Sequence, residues 1–349
     1  MLLNNDLEHD NNMLSFEFDP CTWSAWSAWT GCVKDNGNAG SFMSRNRTRV
    51  NPEGLPDPTC KVWKGVDYIK SLRELKRQPG PDVQLYFSWY EQRRSTDEQG
   101  NSCIYNAVEN LDKVFLSRPN DRELIILADE STSITPDSFG LVKKIIANLV
   151  QTICGGIGQN ANRVSVLRFS AGVKHDVDFI RGSNKKFLLK KINNLRYKTI
   201  KSPNTPGSTY TAQALSYISD RVLNKTNNWR PGKKTEILII TDGRSNDPLG
   251  TFTLLQEKEK LKERDIEIFA MGIGSIYEPE INFLTSNNEN HMFYFPSWGD
   301  FGKFGSYLEY MVGKRREQKL VSSNERSEIC LPLDLTEKEK SEIESRMFG

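Results

Sequence analysis

Acidic and hydroxyl side chains occur together where two apolar runs of this sequence end. The segment ELIILADESTSIT places Asp129, Ser131 and Ser133 directly after one run, and ILIITDG places Asp242 after another. Between them, GSTYTAQAL places Thr209 just before a helical pattern. Carboxylate and hydroxyl oxygens, without a thiolate or imidazole, suit Mg²⁺, Mn²⁺ or Ca²⁺ rather than zinc. These five residues are therefore the candidate metal ligands.

The elements that must position these residues are indicated by an alternation of apolar runs and amphipathic patterns from Glu123 to about Gly313. The predicted strands are Leu124–Ala128, Val164–Phe169, Val173–Phe179, Ile237–Ile240, Ile266–Ile273 and 292–295. Helical patterns lie between them, and the last helix is expected near Phe301–Val312. This alternation predicts an α/β fold, in which a doubly wound, mostly parallel sheet is flanked by helices. Ligands of such sheets bind outside the carboxyl ends of the strands, so Asp129 and Asp242 are expected at one rim.

The three oxygen-rich segments together resemble the von Willebrand factor type A domain, the inserted domain of integrins included. They read D-x-S-x-S from Asp129 to Ser133, G-S-T-x-T around Thr209, and T-D-G at Asp242, within residues 121–313. The resemblance implies a complete metal-ion-dependent adhesion site in which Ser131 and Ser133 coordinate the cation directly. It also implies a protein partner that supplies an acidic side chain to the cation. Glu130 stands where many relatives have glycine, and we expect it to add negative charge beside the site.

Aromatic and basic residues alternate near the start of the chain. The tryptophans Trp23, Trp26 and Trp29 are spaced by three, and the arginines Arg45, Arg47 and Arg49 by two. Period two places the arginines on one face of a strand, where guanidinium groups can stack on indoles; a Trp-rich loop beside an unrelated basic run is the alternative. The segment resembles a divergent thrombospondin type 1 repeat, although three cysteines stand where that family has six. The resemblance implies contact between these arginines and sulfated glycans, or a purely structural ladder.

The chain has six cysteines and only three histidines. The cysteines are Cys21, Cys32, Cys60, Cys103, Cys154 and Cys330. Their even number, without a CxxC pair, favours disulfides and an oxidising compartment, against the alternative of buried free thiols in the cytosol. The resemblance to type A domains makes a Cys103–Cys330 bridge plausible, with Cys154 as a competitor for Cys103. Asn46 and Asn224 begin sequons and are candidates for N-glycosylation.

Composition sets further bounds on the function. A formal net charge of +2 gives no argument for nucleic-acid binding, and no apolar stretch reaches the ~18 residues of a membrane span. The first residues lack the apolar run of a secretory signal, so secretion is expected only if a leader is missing from this sequence. We expect a flexible segment at 1–20, a small disulfide-stapled module at 21–75, a connector at 76–120, the type A domain at 121–313, and a charged, solvated tail at 314–349.

The favoured function is that of a secreted adhesion or matrix protein without enzymatic activity. An intracellular type A scaffold is one alternative, although it leaves the cysteines and the Trp–Arg pattern unexplained. A Mg²⁺-dependent phosphotransferase is the other. It is disfavoured because Ser131 stands where such D-x-D enzymes carry their second acid, and because no lysine-bearing phosphate loop is present.

Overall fold

The computed structural model describes residues 22–23, 43–47, 49–50, 90–94, 104–118, 121–197, 208–224, 228–243, 245, 250–274, 276, 278–322 and 335–348. The chain divides into two compact units, one of Met1–Trp29 with Ser44–Gln92 and the other of Thr30–Met43 with Arg93–Gly349. No helix among the described residues has the length and apolar composition needed to cross a bilayer.

Four short strands lie in the amino-terminal part of the chain: β1 (Thr22–Trp23), β2 (Met43–Arg47), β3 (Arg49–Val50) and β4 (Tyr90–Arg94). β1 pairs antiparallel with β3, and β2 pairs with β4. Arg45 and Arg47 therefore lie in β2, and Arg49 in β3. Trp26, Trp29 and the side chains of the proposed ladder lie outside the described residues, so the stacking stays a prediction.

The larger unit contains a six-stranded sheet. Its strands are β5 (Glu123–Asp129), β6 (Arg163–Phe169), β7 (Val173–Val177), β8 (Thr235–Thr241), β9 (Ile266–Ile273) and β10 (Met292–Phe295). The order across the sheet is β10-β9-β8-β5-β6-β7. All neighbours pair in parallel except β7, which runs antiparallel to β6 along one edge and pairs with a shift in register.

Helices cover this sheet on both faces. They are α1 (Ile104–Leu111), α2 (Pro136–Thr152), α3 (Lys185–Asn193), α4 (Thr211–Tyr217), α5 (Gly250–Glu263), α6 (Glu278–Leu284), α7 (Trp298–Ser322) and α8 (Glu337–Phe348). α1 continues into a π-helical segment, Asp112–Leu116, and α4 into another, Ile218–Val222. Short 3₁₀ turns occupy Arg181–Ser183 and Glu289–His291.

Alternate residues of the central strand β5 belong to different apolar clusters. Leu124 and Ile126 belong to one cluster, and Ile125 and Leu127 belong to the other. Every residue of β5 is buried, as expected of a strand that is covered on both faces. The predicted α/β fold with a mostly parallel sheet is confirmed.

The first helix after β5 begins where its residue types predict. The Thr135 hydroxyl accepts a hydrogen bond from the Ser138 backbone N–H at 3.1 Å, and Pro136 is the first helical residue. Such a cap satisfies one of the backbone donors that a helix start leaves without a partner. α2 therefore starts directly behind the loop that carries Ser131 and Ser133, which limits how far that loop can move.

The core extends beyond the predicted limits of the large domain. Ile104 and Phe115, which were expected in a connector, are buried in the cluster that includes Leu124. Leu335 and Ile343 are buried in the same cluster, so the prediction of a solvated tail is wrong for these residues. The helix α8 is rich in charge, yet it places Ile343 against the core.

Two other predicted positions have partners or neighbours outside the described residues. Cys154 is disulfide-bonded, and its partner is one of the five cysteines outside the described residues. Asn224 is exposed after the π-helical segment, while the other two residues of its sequon are not described.

Candidate metal centre

The candidate site lies where the sheet changes its winding direction. β5 sits between β6 and β8, so the chain turns to one side after β5 and later returns to the other. The crevice outside the carboxyl ends of such neighbouring strands is the usual ligand position in an open α/β sheet. Asp129 is the last residue of β5, and Asp242 directly follows β8.

Asp129 is fully buried and uses both of its carboxylate oxygens. Oδ1 accepts a hydrogen bond from the Ser131 backbone N–H, and Oδ2 accepts one from the Thr241 hydroxyl, each at 2.7 Å. These contacts fix the loop after β5 and tie it to the end of β8. Asp129 therefore forms the floor of the site.

The serine hydroxyls extend the cluster from this floor towards the surface. The Ser131 and Ser133 Oγ atoms are 2.9 Å apart, and the Ser133 hydroxyl donates to Asp242 Oδ1 at 2.7 Å. Ser131 is buried whereas Ser133 is exposed. Oxygen atoms of two loops thus form a continuous group that a partner can reach from solvent.

The third loop is held by the residue after β6. The Ser170 hydroxyl donates to the Ser208 carbonyl, and the Tyr210 backbone N–H donates to the Ser170 carbonyl, each at 3.0 Å. This places the Thr209 hydroxyl beside the backbone after Asp242, since a Cβ built on Gly243 would lie 3.4 Å from Thr209 Oγ1. The five residues predicted as ligands are therefore brought to one rim.

Burial dominates the electrostatics of the two carboxylates. Burial, with a smaller contribution from the charge of Asp242, raises the pKa of Asp129 to about 7 against hydrogen bonds from Thr241 and Ser131. Burial also raises the pKa of Asp242, against hydrogen bonds from Ser133 and Trp298. Two desolvated carboxylates resist ionising together, and a divalent cation between them would reverse that preference.

The donor set fits a hard cation. Among the described residues, no group of three or more His, Cys, Asp or Glu side chains is arranged to hold a metal. A cation at this rim would therefore rely on hydroxyl and water oxygens in addition to two carboxylates. Such all-oxygen coordination is typical of Mg²⁺, Mn²⁺ and Ca²⁺.

The expectation that Glu130 adds negative charge beside the site is wrong, because that charge is neutralised. Its carboxylate is buried and pairs with the guanidinium of Arg168. Arg168 also donates to both carboxylate oxygens of Asp176, at 2.6 and 3.0 Å. The negative charge of Glu130 is thus balanced by a buried ion pair within the domain.

Three further residues shape the rim and were not predicted. Thr241 binds Asp129, and its position directly before Asp242 in T-D-G was a usable signal. Trp298, the first residue of α7, hydrogen-bonds to Asp242. Glu280 accepts from the Thr211 hydroxyl at 3.4 Å and from the Ser245 backbone at 3.1 Å, joining the two later loops. Nothing local in the sequence marks Trp298 or Glu280.

Comparison with known proteins agrees with this architecture. The profile of the von Willebrand factor type A domain matches residues 123–306. Human matrilin-1 is 27% identical over 191 residues, which cover 54% of this chain and 36% of matrilin-1. The mouse collagen alpha-1(XX) chain is 27% identical over 168 residues, which cover 48% of this chain and 12% of the collagen.

Among solved structures, proximal thread matrix protein 1 from the mussel byssus, described with a zinc-occupied MIDAS motif, is 22% identical with a TM-score of 0.47. The match covers 55% of this chain and 47% of that protein. The present chain spans about a third of matrilin-1 and a smaller part of the collagen. Because the profile match extends over more than half of the 349 residues and contains the sheet with its oxygen-rich rim, the chain belongs to the von Willebrand factor type A domain family.

Proposed function

We propose that the chain is an extracellular adhesion protein whose type A domain binds a protein partner through a divalent cation. The proposed ligands are Asp129, Ser131, Ser133, Thr209 and Asp242. The observation that carries the proposal is the convergence of two carboxylates and three hydroxyls, from three loops, at the winding switch of the sheet. Mg²⁺ is the proposed cation, with Mn²⁺ or Ca²⁺ as substitutes.

The residues at the rim have different proposed roles. Ser131 and Ser133 present their hydroxyls to the cation, and Asp242 and Thr209 bind it directly or through water. Asp129 supplies negative charge from the buried side of the site, where Ser131 and Thr241 hold its two oxygens in place. When bound, the cation supplies an electrophilic position for a carboxylate of the partner. Pairing of Glu130 with Arg168 supports this role because it removes one source of repulsion towards an acidic partner.

Extracellular placement rests on two observations. The disulfide at Cys154 is typical of proteins that fold in an oxidising compartment. The similar sequences include a matrilin and a collagen chain. Both observations favour a secreted matrix protein over an intracellular scaffold. Contact of Arg45, Arg47 and Arg49 with glycans, and N-glycosylation at Asn46 and Asn224, are parts of the same proposal.

A binding role is proposed in place of catalysis. Ser131, at the position of the second acid of a D-x-D phosphotransferase, is buried and lies beside Ser133. It cannot serve as the general acid or base that such a transfer needs. Hydrolysis of a phosphate ester at saturating Mg²⁺ would contradict this part of the proposal.

The proposed function is tested by substituting Asp242. Its hydrogen-bond partner Ser133 is exposed, whereas the partners of Asp129 are buried, so a change at Asp242 should disturb the fold less. Asp242→Ala is expected to abolish the heat of Mg²⁺ binding in titration calorimetry and the EDTA-sensitive capture of matrix proteins. Asp220→Ala, at an exposed aspartate on another part of the domain, is the matched control and should behave as wild type. Circular dichroism should be unchanged in both variants. Full Mg²⁺ binding and EDTA-sensitive capture by Asp242→Ala would refute the metal-bridged contact.

A further inference from the structure

A long basic block stands out in the sequence between Asp178 and Asp220. This block contains no Asp or Glu, although the whole chain has a net charge of only +2. Its eight basic residues are Arg181, Lys185, Lys186, Lys190, Lys191, Arg196, Lys198 and Lys201. Most of them lie in or beside α3, so the positive charge is concentrated on one part of the domain.

The helix α3 presents this charge to solvent. It buries Leu188 and Ile192 in the core, while Lys186, Lys190 and Lys191 are exposed. The four lysines of α3 extend over ~9 Å of helix, at about 1.5 Å per residue.

Basic residues from other elements widen the surface on both sides of α3. On one side, Lys190 and Lys191 share a shallow cleft with Lys174 of β7 and with Arg196. On the other side, Lys185 and Lys186 share a cleft with the exposed Arg316 of α7 and with Arg315, which is buried and pairs with Asp112 at 2.8 Å. The exposed basic residues are called the α3 basic surface, and they are Lys174, Lys186, Lys190, Lys191, Arg196 and Arg316.

Five of these basic residues have no acidic partner within the described part of the chain. Lys174, Lys186, Lys190, Lys191 and Arg196 make no ion pair with a described acidic residue. The nearby acids are engaged elsewhere, because Asp176 pairs with Arg168 and Asp178 with Arg181.

Lysines on other faces of the domain differ in this respect. Lys144 pairs with Glu309 at 2.7 Å, Lys260 with Glu257 at 2.7 Å, and Lys234 with Glu267 at 2.9 Å. The basic surface is therefore a local excess of charge, which attracts an extended polyanion more strongly than isolated paired lysines do.

We infer that the α3 basic surface binds a sulfated glycosaminoglycan. Flexible lysine ammonium groups along a helix and in two flanking clefts suit a linear chain of sulfates. The one exposed large apolar side chain among the described residues is Ile180, which is too little for insertion into a membrane. Phe187 is partly covered by Lys191, whose Nζ lies 5.7 Å from the ring centroid, so no open aromatic platform for nucleic-acid bases is present there.

The compartment also favours sulfated glycans over other polyanions. The disulfide at Cys154 is typical of a protein that acts outside the cytosol, where it would be separated from cytosolic nucleic acids and from the anionic lipids of the cytoplasmic leaflet. The α3 basic surface contains none of the five candidate metal ligands and is separate in sequence from Arg45, Arg47 and Arg49. Glycan binding here therefore requires neither the cation nor the amino-terminal arginines.

The test uses the full chain on immobilised heparin and chondroitin sulfate in EDTA. The triple variant Lys186→Gln, Lys190→Gln, Lys191→Gln should elute at lower NaCl than wild type. Its Kd at physiological salt should rise at least about tenfold, and the dependence of log Kd on log salt should become shallower. The matched control Lys144→Gln, Lys260→Gln, Lys262→Gln loses the same three positive charges from exposed sites and should elute as wild type. Thermal melting checks that both variants remain folded.

Several outcomes would overturn the inference. The first is elution of the α3 variant at the same NaCl concentration as wild type. The second is a loss of affinity in the control variant as large as that in the α3 variant. The third is retention of wild type on desulfated heparin as strong as on heparin. Loss confined to an Arg45→Gln, Arg47→Gln, Arg49→Gln variant would assign glycan binding to the amino-terminal strands instead. Tighter binding to DNA or to phosphatidylserine vesicles than to heparin at the same salt would also contradict it. Heparin binding that survives in Asp242→Ala would separate this surface from the proposed metal-dependent function.

Discussion

Asp129 is buried at the end of the central strand, with a second carboxylate nearby. In the metal-free protein, burial raises the pKa of Asp129 from 3.8 to about 7. The unfolded chain gives up this proton more readily than the folded one. The contribution of the Asp129 carboxyl to the free energy of unfolding is therefore present at acidic pH and is lost as the pH rises from about 4 through 7.

Replacing Asp129 should reveal this electrostatic cost. In EDTA at pH 8, the free energy of unfolding of Asp129→Asn is expected to exceed that of wild type by up to about 4 kcal/mol, because the variant has no charge to bury. The difference should narrow at pH 5. Added Mg²⁺ should stabilise wild type alone, since the variant lacks the charge that favours the cation. Urea unfolding at both pH values measures this, and a variant less stable than wild type at pH 8 in EDTA would contradict it.

Local spacing explains which site residues can be predicted from the sequence. Asp129, Ser131 and Ser133 occur within five positions, and Asp242 directly follows an apolar run, so a pattern of residue types finds them. Arg168 cannot be found in this way, because its pairing with Glu130 exists only after β5 and β6 lie side by side. The prediction of added negative charge at Glu130 therefore failed, because the sequence alone does not reveal its partner.

At the scale of elements, α7 connects the rim to the core. Its first residue, Trp298, hydrogen-bonds to Asp242, and its indole packs edge-on against Phe301 at 5.7 Å between ring centroids. Further along, a Cβ built on Gly305 would lie 3.1 Å from a side-chain carbon of Ile145, so α7 packs closely against α2 there. The environment of one carboxylate of the site is thus linked to the placement of a long helix.

Trp298 should report occupancy of the site. Mg²⁺ added to the metal-free protein is expected to change tryptophan emission, because the cation competes with the indole N–H for the Asp242 carboxylate. Trp298→Phe should remove this change. Trp229→Phe is the control, since that indole donates to the Thr235 hydroxyl at 3.0 Å at the opposite end of β8. An emission change that persists in Trp298→Phe would show that the indole does not sense the cation.

Element boundaries were predictable where periodicity was strong and not where charge obscured it. Ile266–Ile273 and 292–295 were predicted with the observed bounds. α8 was missed because its sequence is mostly charged. A signal was nevertheless present, since Thr336 and Glu339 form a capping box: the Glu339 backbone donates to the Thr336 hydroxyl, and the Thr336 backbone donates to the Glu339 carboxylate.

At the scale of the molecule, the two ends of the central strands differ in charge balance. At the amino ends, Arg122 pairs with Glu236 at 2.7 Å, and Arg163 pairs with Glu123 at 2.8 Å. At the carboxyl ends, Asp129 and Asp242 have hydroxyl, amide and indole donors but no basic partner among the described residues. Of these two ends, the carboxyl end is therefore the one where a bound cation would neutralise carboxylates that have no described basic partner.

The disulfide at Cys154 should contribute to the stability of the whole domain. Cys154→Ser is expected to lower the free energy of unfolding by about 2–4 kcal/mol, because it releases a constraint on the unfolded chain. Thermal unfolding measures the loss. Alkylation of the denatured protein should label Cys154 only after reduction, and peptide mapping without reductant should identify its partner among the other five cysteines, of which Cys103 is the predicted one. Labelling without reductant would contradict the bond.

The antiparallel edge strand β7 limits how these domains can associate with one another. Lys174 is exposed on it, Asp176 is charged, and its pairing with β6 shifts register near Leu167. Charges and irregular pairing on an edge strand oppose the docking of a second strand from another molecule. A second copy that approaches this edge would therefore have to associate through side-chain contacts, and not by adding a strand beside β7.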